Sequence, residues 1–131
     1  MKQVKDTLPN GIVGSIAEHL SIAYLMDLGY EVHSASCGNS LADLVAITPE
    51  GQVRLFDVKK AGTDTSSLAI RIHKQVSRPE DFERAGVEFL FVWFDLSKGH
   101  IVVEDTEDSF YDKVESLGYE TARSRKLARS L

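Results

Sequence analysis

The sequence predicts an α/β sandwich in which helices cover both sides of a central mixed β-sheet. Three observations predict it. The elements follow one another in the order α-β-β-β-α-β-β-α. The strands, above all residues 87–94, are apolar on both faces and therefore need cover on both. A chain of 131 residues with 43% hydrophobic and 27% charged side chains fits a single foldable domain, 1–131, better than two domains or a disordered chain.

Each element has a local reason. Over residues 11–28, Val13, Ile16, Ala17, Leu20, Tyr24 and Leu28 recur at helical spacing, and Gly29 stands where the helix should end. Residues 30–35 alternate as a strand, and a small polar loop, 36–40, follows. Residues 41–47 and 53–59 flank Thr48-Pro49-Glu50-Gly51-Gln52, whose proline and glycine supply turn chemistry, so a β-hairpin is expected. Residues 61–67 read as a polar loop, and 68–76 as either strand or irregular chain. Ser77-Arg78-Pro79-Glu80 combines an N-cap serine, a first-turn proline and a capping-box glutamate, which predicts a short helix stopping at Gly86. Residues 87–94 then form a buried central strand, 95–99 a turn, and 100–103 a strand that pairs back. A helix over 106–117 turns Phe110, Val114 and Leu117 inward, and a basic tail over 121–131 is expected to be free to flex.

Composition narrows the function. With 15 Lys and Arg against 20 Asp and Glu, the net charge of −5 argues against a protein that coats nucleic acid by bulk charge, while leaving room for a local basic edge. The lone cysteine, Cys37, excludes an internal disulfide and paired-cysteine zinc sites and agrees with a reducing compartment. His19, His33, His73 and His100 lack metal-ligand spacing, so any metal should be held by oxygen. No run approaches the roughly 20 apolar residues of a membrane span, and residues 1–10 lack a signal-peptide core, so a cytoplasmic protein without membrane partners is expected.

The hairpin carries the chemistry. A turn centred on Glu50 pairs Ile47 with Val53, Val45 with Leu55 and Asp43 with Asp57, while Leu44, Ala46, Phe56 and Val58 form the opposite face. Two carboxylates opposed on one face repel, and burial would add a desolvation cost, so a positive group should lie between them. Lys59 shares their face but offsets only part of two charges. A hard divalent cation such as Mg²⁺ would neutralise the pair, with the Val58 carbonyl as a further oxygen. Glu18 is the third carboxylate; around it on the first helix stand Gly11, Gly14 and Ser15, a small face that would let a ligand approach. The competing reading makes Asp43 and Asp57 strand-end carboxylates satisfied by backbone amides, and Lys59 and Lys60 the close of a strand.

Glu18 on a first helix, Asp43-Leu44-Val45 on one strand and Asp57-Val58-Lys59 on the next resemble the PD-(D/E)XK nuclease superfamily. The stretch from Gly14-Ser15-Ile16-Ala17-Glu18 to Phe56-Asp57-Val58-Lys59-Lys60 is most similar to intron-encoded homing endonucleases, and next to archaeal-type Holliday junction resolvases. Ala42 stands where the eponymous proline would be, and Asp57 where glutamate is commoner. The resemblance implies a restriction-endonuclease-like sandwich with an αβββαβ core and Mg²⁺-dependent DNA hydrolysis, with Mn²⁺ as a substitute ion. It makes Asp43, Asp57 and Glu18 metal ligands and gives Lys59 the attacking water or the developing phosphate charge. Lys60, Arg71, His73, Lys74 and Arg78 form the candidate DNA-facing edge. Because one short chain carries one site and a duplex has two strands, a homodimer or larger homo-oligomer is expected. The alternatives are a resolvase with the same site and a non-catalytic module that uses the fold for DNA binding or oligomerisation.

Overall fold

The computed structural model describes residues 10–35, 41–64, 66–73 and 78–130. Its elements are helix α1 (Asn10–Asp27), strands β1 (Glu31–Ser34), β2 (Leu44–Ile47), β3 (Val53–Thr63) and β4 (Ile70–Ile72), helix α2 (Pro79–Ala85), strands β5 (Val87–Asp95) and β6 (His100–Glu104), and helices α3 (Glu107–Ser116) and α4 (Ala122–Arg129). The strands form one six-stranded sheet in the order β1-β2-β3-β5-β6, with β4 paired to the far end of β3. The β3–β5 pairing is parallel and the others are antiparallel, so the sheet is mixed as expected.

Strand β5 explains the two-sided cover. Its even residues Leu90, Val92 and Phe94 join Ala17, Leu25, Leu44, Ala46 and Phe56 in the core beneath α1. Its odd residues Phe91 and Trp93 pack with Phe110, Tyr111 and Val114 of α3 and with Ile70 and Ile72 of β4. The period-2 alternation of a strand thus feeds two separate cores. The region 68–76, left between strand and irregular chain by its sequence, contains β4. Gly29 and Gly86 adopt the left-handed conformation (φ 87° and 68°) at the ends of α1 and α2, as their places in the sequence predict. The serine cap expected for α2 falls on Ser77, outside the described residues; the residue before the helix is Arg78, which makes no side-chain cap bond.

Residues 122–129 depart from expectation, because the tail read as free to flex holds a capped helix. Thr121, fully buried, accepts the Ser124 N–H through Oγ1, while Ser124 Oγ accepts the Thr121 N–H, a complete capping box. Arg123 bonds Asp112 at 2.6 Å and Glu115 at 2.9 Å and lies over the Tyr111 ring, so the basic tail is docked on the acids of α3. Thr121→Ala is expected to cost roughly 2 kcal/mol. That combines the cap with the buried bond from Thr121 Oγ1 to Glu115, whereas Thr121→Ser should cost well under half as much. A lower urea midpoint at unchanged slope checks this.

Candidate metal and nucleic-acid site

The site grows from the end of the β2–β3 ladder. Ile47↔Val53, Val45↔Leu55 and Leu44↔Phe56 pair as the hairpin predicts. The next expected pair, Asp43 with Asp57, is where the regular ladder gives way. Asp43 N–H donates to Phe56 O, and Asp43 Oδ2 accepts the Val58 N–H at 2.8 Å in place of a backbone carbonyl. The ladder ends there for a simple reason: a carboxylate beside a strand amide out-competes a neutral acceptor. Asp43 is therefore partly the strand-end carboxylate of the competing reading. A strand residue turns its N–H and C=O to the same edge, so the Val58 carbonyl also faces the Asp43 side.

Asp57 is buried on β3, and its carboxyl lies within hydrogen-bonding reach of that of Asp43. Burial first, and the neighbouring Asp43 second, push its pKa from the usual 3.8 up to about 6, against the lowering influence of Lys59. Lys59 Nζ sits 2.8 Å from Asp57 Oδ2, a partly buried ion pair that offsets one of the two neighbouring carboxylates and leaves the pair short of positive charge. Lys59 also lies over the Phe89 ring at 5.8 Å.

Glu18 reaches the same region from α1. A pocket of about 440 Å³ lies between α1 and β3, with Gly11, Gly14 and Ser15 as one wall and Glu18, Asp43, Val58 and Lys60 around it. A Cβ added at Gly11 or Gly14 would meet no atom within 4 Å, consistent with a small face that opens onto this space. The pKa of Glu18 is raised, by burial and then by Asp43, which places the two carboxyls in one electrostatic environment. Asp43 is thus shared by two groupings, with Asp57 and Lys59 on one side and Glu18 and Lys60 on the other. Among the described residues, no three of the His, Cys, Asp and Glu side chains close into a ready metal cage; Glu18 shares the pocket with Asp43, and Asp57 does not line it.

The expected DNA edge is dispersed. Arg71 is exposed on β4 opposite Gly62 and pairs with Asp64 at 3.0 Å. Bonds from Ser66, then from Arg71, hold Asp64 well below the carboxylate range, near 2. His73 is exposed, with its ring beside Gly62. Arg78 is exposed near Asp81 at 3.7 Å, and Lys74 lies outside the described residues. Sequence reasoning passed over Arg54, whose guanidinium donates to Glu88 and Tyr30 and lies over the Phe56 ring, clamping β3 to β5. The signal was a lone arginine in an apolar strand with a glutamate in another.

No protein-family model matches the chain, and no curated protein matches it. Among solved structures, one similar in fold is a bacterial homing endonuclease, I-Ssp6803I, with a TM-score of 0.55 and 20% sequence identity over 78% of this chain and 68% of that one. Among the described residues no helix is long and apolar enough to cross a membrane.

Proposed function

We propose that the chain is a metal-dependent DNA endonuclease of the PD-(D/E)XK type, homing-endonuclease-like, with Asp43, Asp57 and Glu18 as its carboxylates. The observation that carries this reading is Asp57: a buried carboxylate beside that of Asp43, which the single ammonium of Lys59 compensates only in part, on a homing-endonuclease-like fold. A buried pair of like charges is costly, and a hard cation with a preference for oxygen would turn that cost into affinity. The donor set fits Mg²⁺ or Mn²⁺: Asp43, Asp57 and the Val58 carbonyl would hold the ion, with Glu18 joining directly or through water. Such an ion supplies a more acidic water and charge neutralisation at phosphate.

The chain's own residues do the rest. Asp57 and Asp43 supply the oxygens, and the Val58 amide orients Asp43. Lys59 balances part of the carboxylate charge from the odd face of the strand, and the resemblance gives it the attacking water or the phosphate. Glu18 forms the opposite wall, and the glycines of α1 leave room for a sugar-phosphate backbone. Lys60, Arg71, His73, Lys74 and Arg78 supply phosphate contacts. Two strands need two sites, so the active form is a homodimer or larger homo-oligomer.

The deciding experiment incubates supercoiled plasmid, linear duplex and a labelled four-way junction with the protein, with and without Mg²⁺ or Mn²⁺. Nicking or linearisation that needs the metal is the expected result, and preference for the junction would favour a resolvase. Binding without cleavage in every metal would leave a non-catalytic module.

A further inference from the structure

We propose that helix α4 is a second contact to the DNA backbone, at which Lys126 and Arg129 hold duplex phosphates outside the cleavage pocket. The choice of DNA as the partner rests on the nuclease reading; the surface itself is defined without it.

The chain distributes its charge unevenly. After Glu120 come four cations, Arg123, Arg125, Lys126 and Arg129, and no acid, in a protein of net charge −5. Two of the four have internal tasks. Arg123 ties the helix to Asp112 and Glu115 of α3, and Arg125 donates to Glu120 at 2.7 Å. Lys126 and Arg129 are exposed, and among the described residues neither has a hydrogen-bond or ion-pair partner.

A solvated helix end is the ordinary reading of such residues, since cations in a last turn complement the helix dipole. Two features go beyond it. Arg125 and Lys126 stand four and three residues before Arg129, so like charges crowd one face and repel, which a bound polyanion relieves. The capping box at Thr121 and the bonds of Arg123 fix the helix on α3, so these cations are presented from a held backbone and lose less freedom on binding than a loose tail would.

Position ties this face to the site. Thr121 bridges to Ile70, and the Ile70 N–H donates to Glu120 O at 2.9 Å, so α4 begins on the outer edge of β4. Strand β4 pairs with Ala61, Gly62 and Thr63 of β3, the strand that carries Asp57. From Asp57 to Gly62 is about 17 Å of strand, and two strand spacings add about 10 Å sideways. The start of α4 is therefore on the order of 20 Å from the carboxylates, within one duplex turn of about 34 Å. A polymer with a phosphate every few ångströms can meet both places at once.

The test measures binding of a labelled duplex in Ca²⁺ over a salt series, with cleavage of supercoiled plasmid in Mg²⁺ run on the same proteins. Lys126→Ala/Arg129→Ala should flatten the plot of log affinity against log salt by about 1.8, two contacts at about 0.9 each. Lys126→Arg/Arg129→Lys should keep the wild-type slope. So should Lys98→Ala/Lys113→Ala, which removes the same net charge from exposed residues elsewhere. Unchanged Tm in the α4 double variant checks that it folds. A wild-type slope in that variant, equal flattening in both alanine pairs, or binding that goes to anionic vesicles and not to duplex would overturn the proposal. Metal-dependent cleavage with a slope that ignores α4 overturns the contact and leaves the nuclease reading standing. A slope that depends on α4 without cleavage in any metal supports the contact and overturns the nuclease reading.

Discussion

Asp57→Asn is expected to abolish metal-dependent cleavage while leaving the metal-free protein as stable as wild type or more stable. Two effects oppose each other. The amide removes the desolvation cost of a buried carboxylate and its repulsion by Asp43, but it also takes from Lys59 its counter-ion. The net pKa decides the sign: it lies near 6 even with Lys59 in place, so the folded protein disfavours the charged form. A carboxyl whose folded pKa is raised above the unfolded value stabilises most when protonated, and that stability is lost as pH climbs from about 4 through 6. Above pH 6 the wild type therefore carries a penalty on the order of 2 to 3 kcal/mol that Asn does not. The variant should gain most at pH 7 to 8 and little at pH 4, read as Tm against pH. A large loss of stability at neutral pH would assign Asp57 a purely structural task.

Divalent metal should give the second large effect. Mg²⁺ at about a hundred times its Kd should stabilise the folded chain by about 2.7 kcal/mol, roughly 10 °C in Tm for a domain of this size. The shift should vanish in Asp57→Asn and Asp43→Asn and persist in part in Glu18→Gln, because Glu18 is on α1 and shares the pocket with Asp43 alone of the pair. Protons compete for the same carboxylates, so the shift should shrink as pH falls below 6, the pKa of Asp57. Equal shifts in wild type and in both aspartate variants would mean that the ion binds elsewhere.

Much of this arrangement was legible in the sequence wherever a pattern was both periodic and locally punctuated. The stripe of α1 ending at Gly29 and the turn 48–52 with its register both follow from short-range chemistry. The central strand 87–94 is equally legible, as an apolar run bounded by Gly86. Strand β4 was not legible, because Ile70, Arg71 and Ile72 are too few to declare a period and pair with an extension of β3 past Lys60. Helix α4 was hidden for another reason. Ala122-Arg123-Ser124-Arg125-Lys126-Leu127-Ala128-Arg129 has no apolar stripe, and its order comes from the Thr121 cap and from acids on α3.

At the site, alternation along β3 correctly put Asp57 and Lys59 on one face. The missed step was that α1 packs on the other, apolar face, from which Lys60 joins Glu18. The break in the ladder at Asp43 could not be read from pairing rules, because it depends on a side chain replacing a backbone acceptor.

That replacement has a consequence for observing the site. The Val58 amide proton belongs to Asp43 Oδ2, so it is a built-in reporter on a carboxylate that carries no signal of its own. Anything that turns or protonates that carboxylate should move the Val58 amide resonance and loosen its protection from solvent exchange, while its neighbours in the β3–β5 ladder stay as they were. Folding has already paid for the ordering of this side chain, and what remains to be organised on binding is Glu18, which shares the pocket with Asp43.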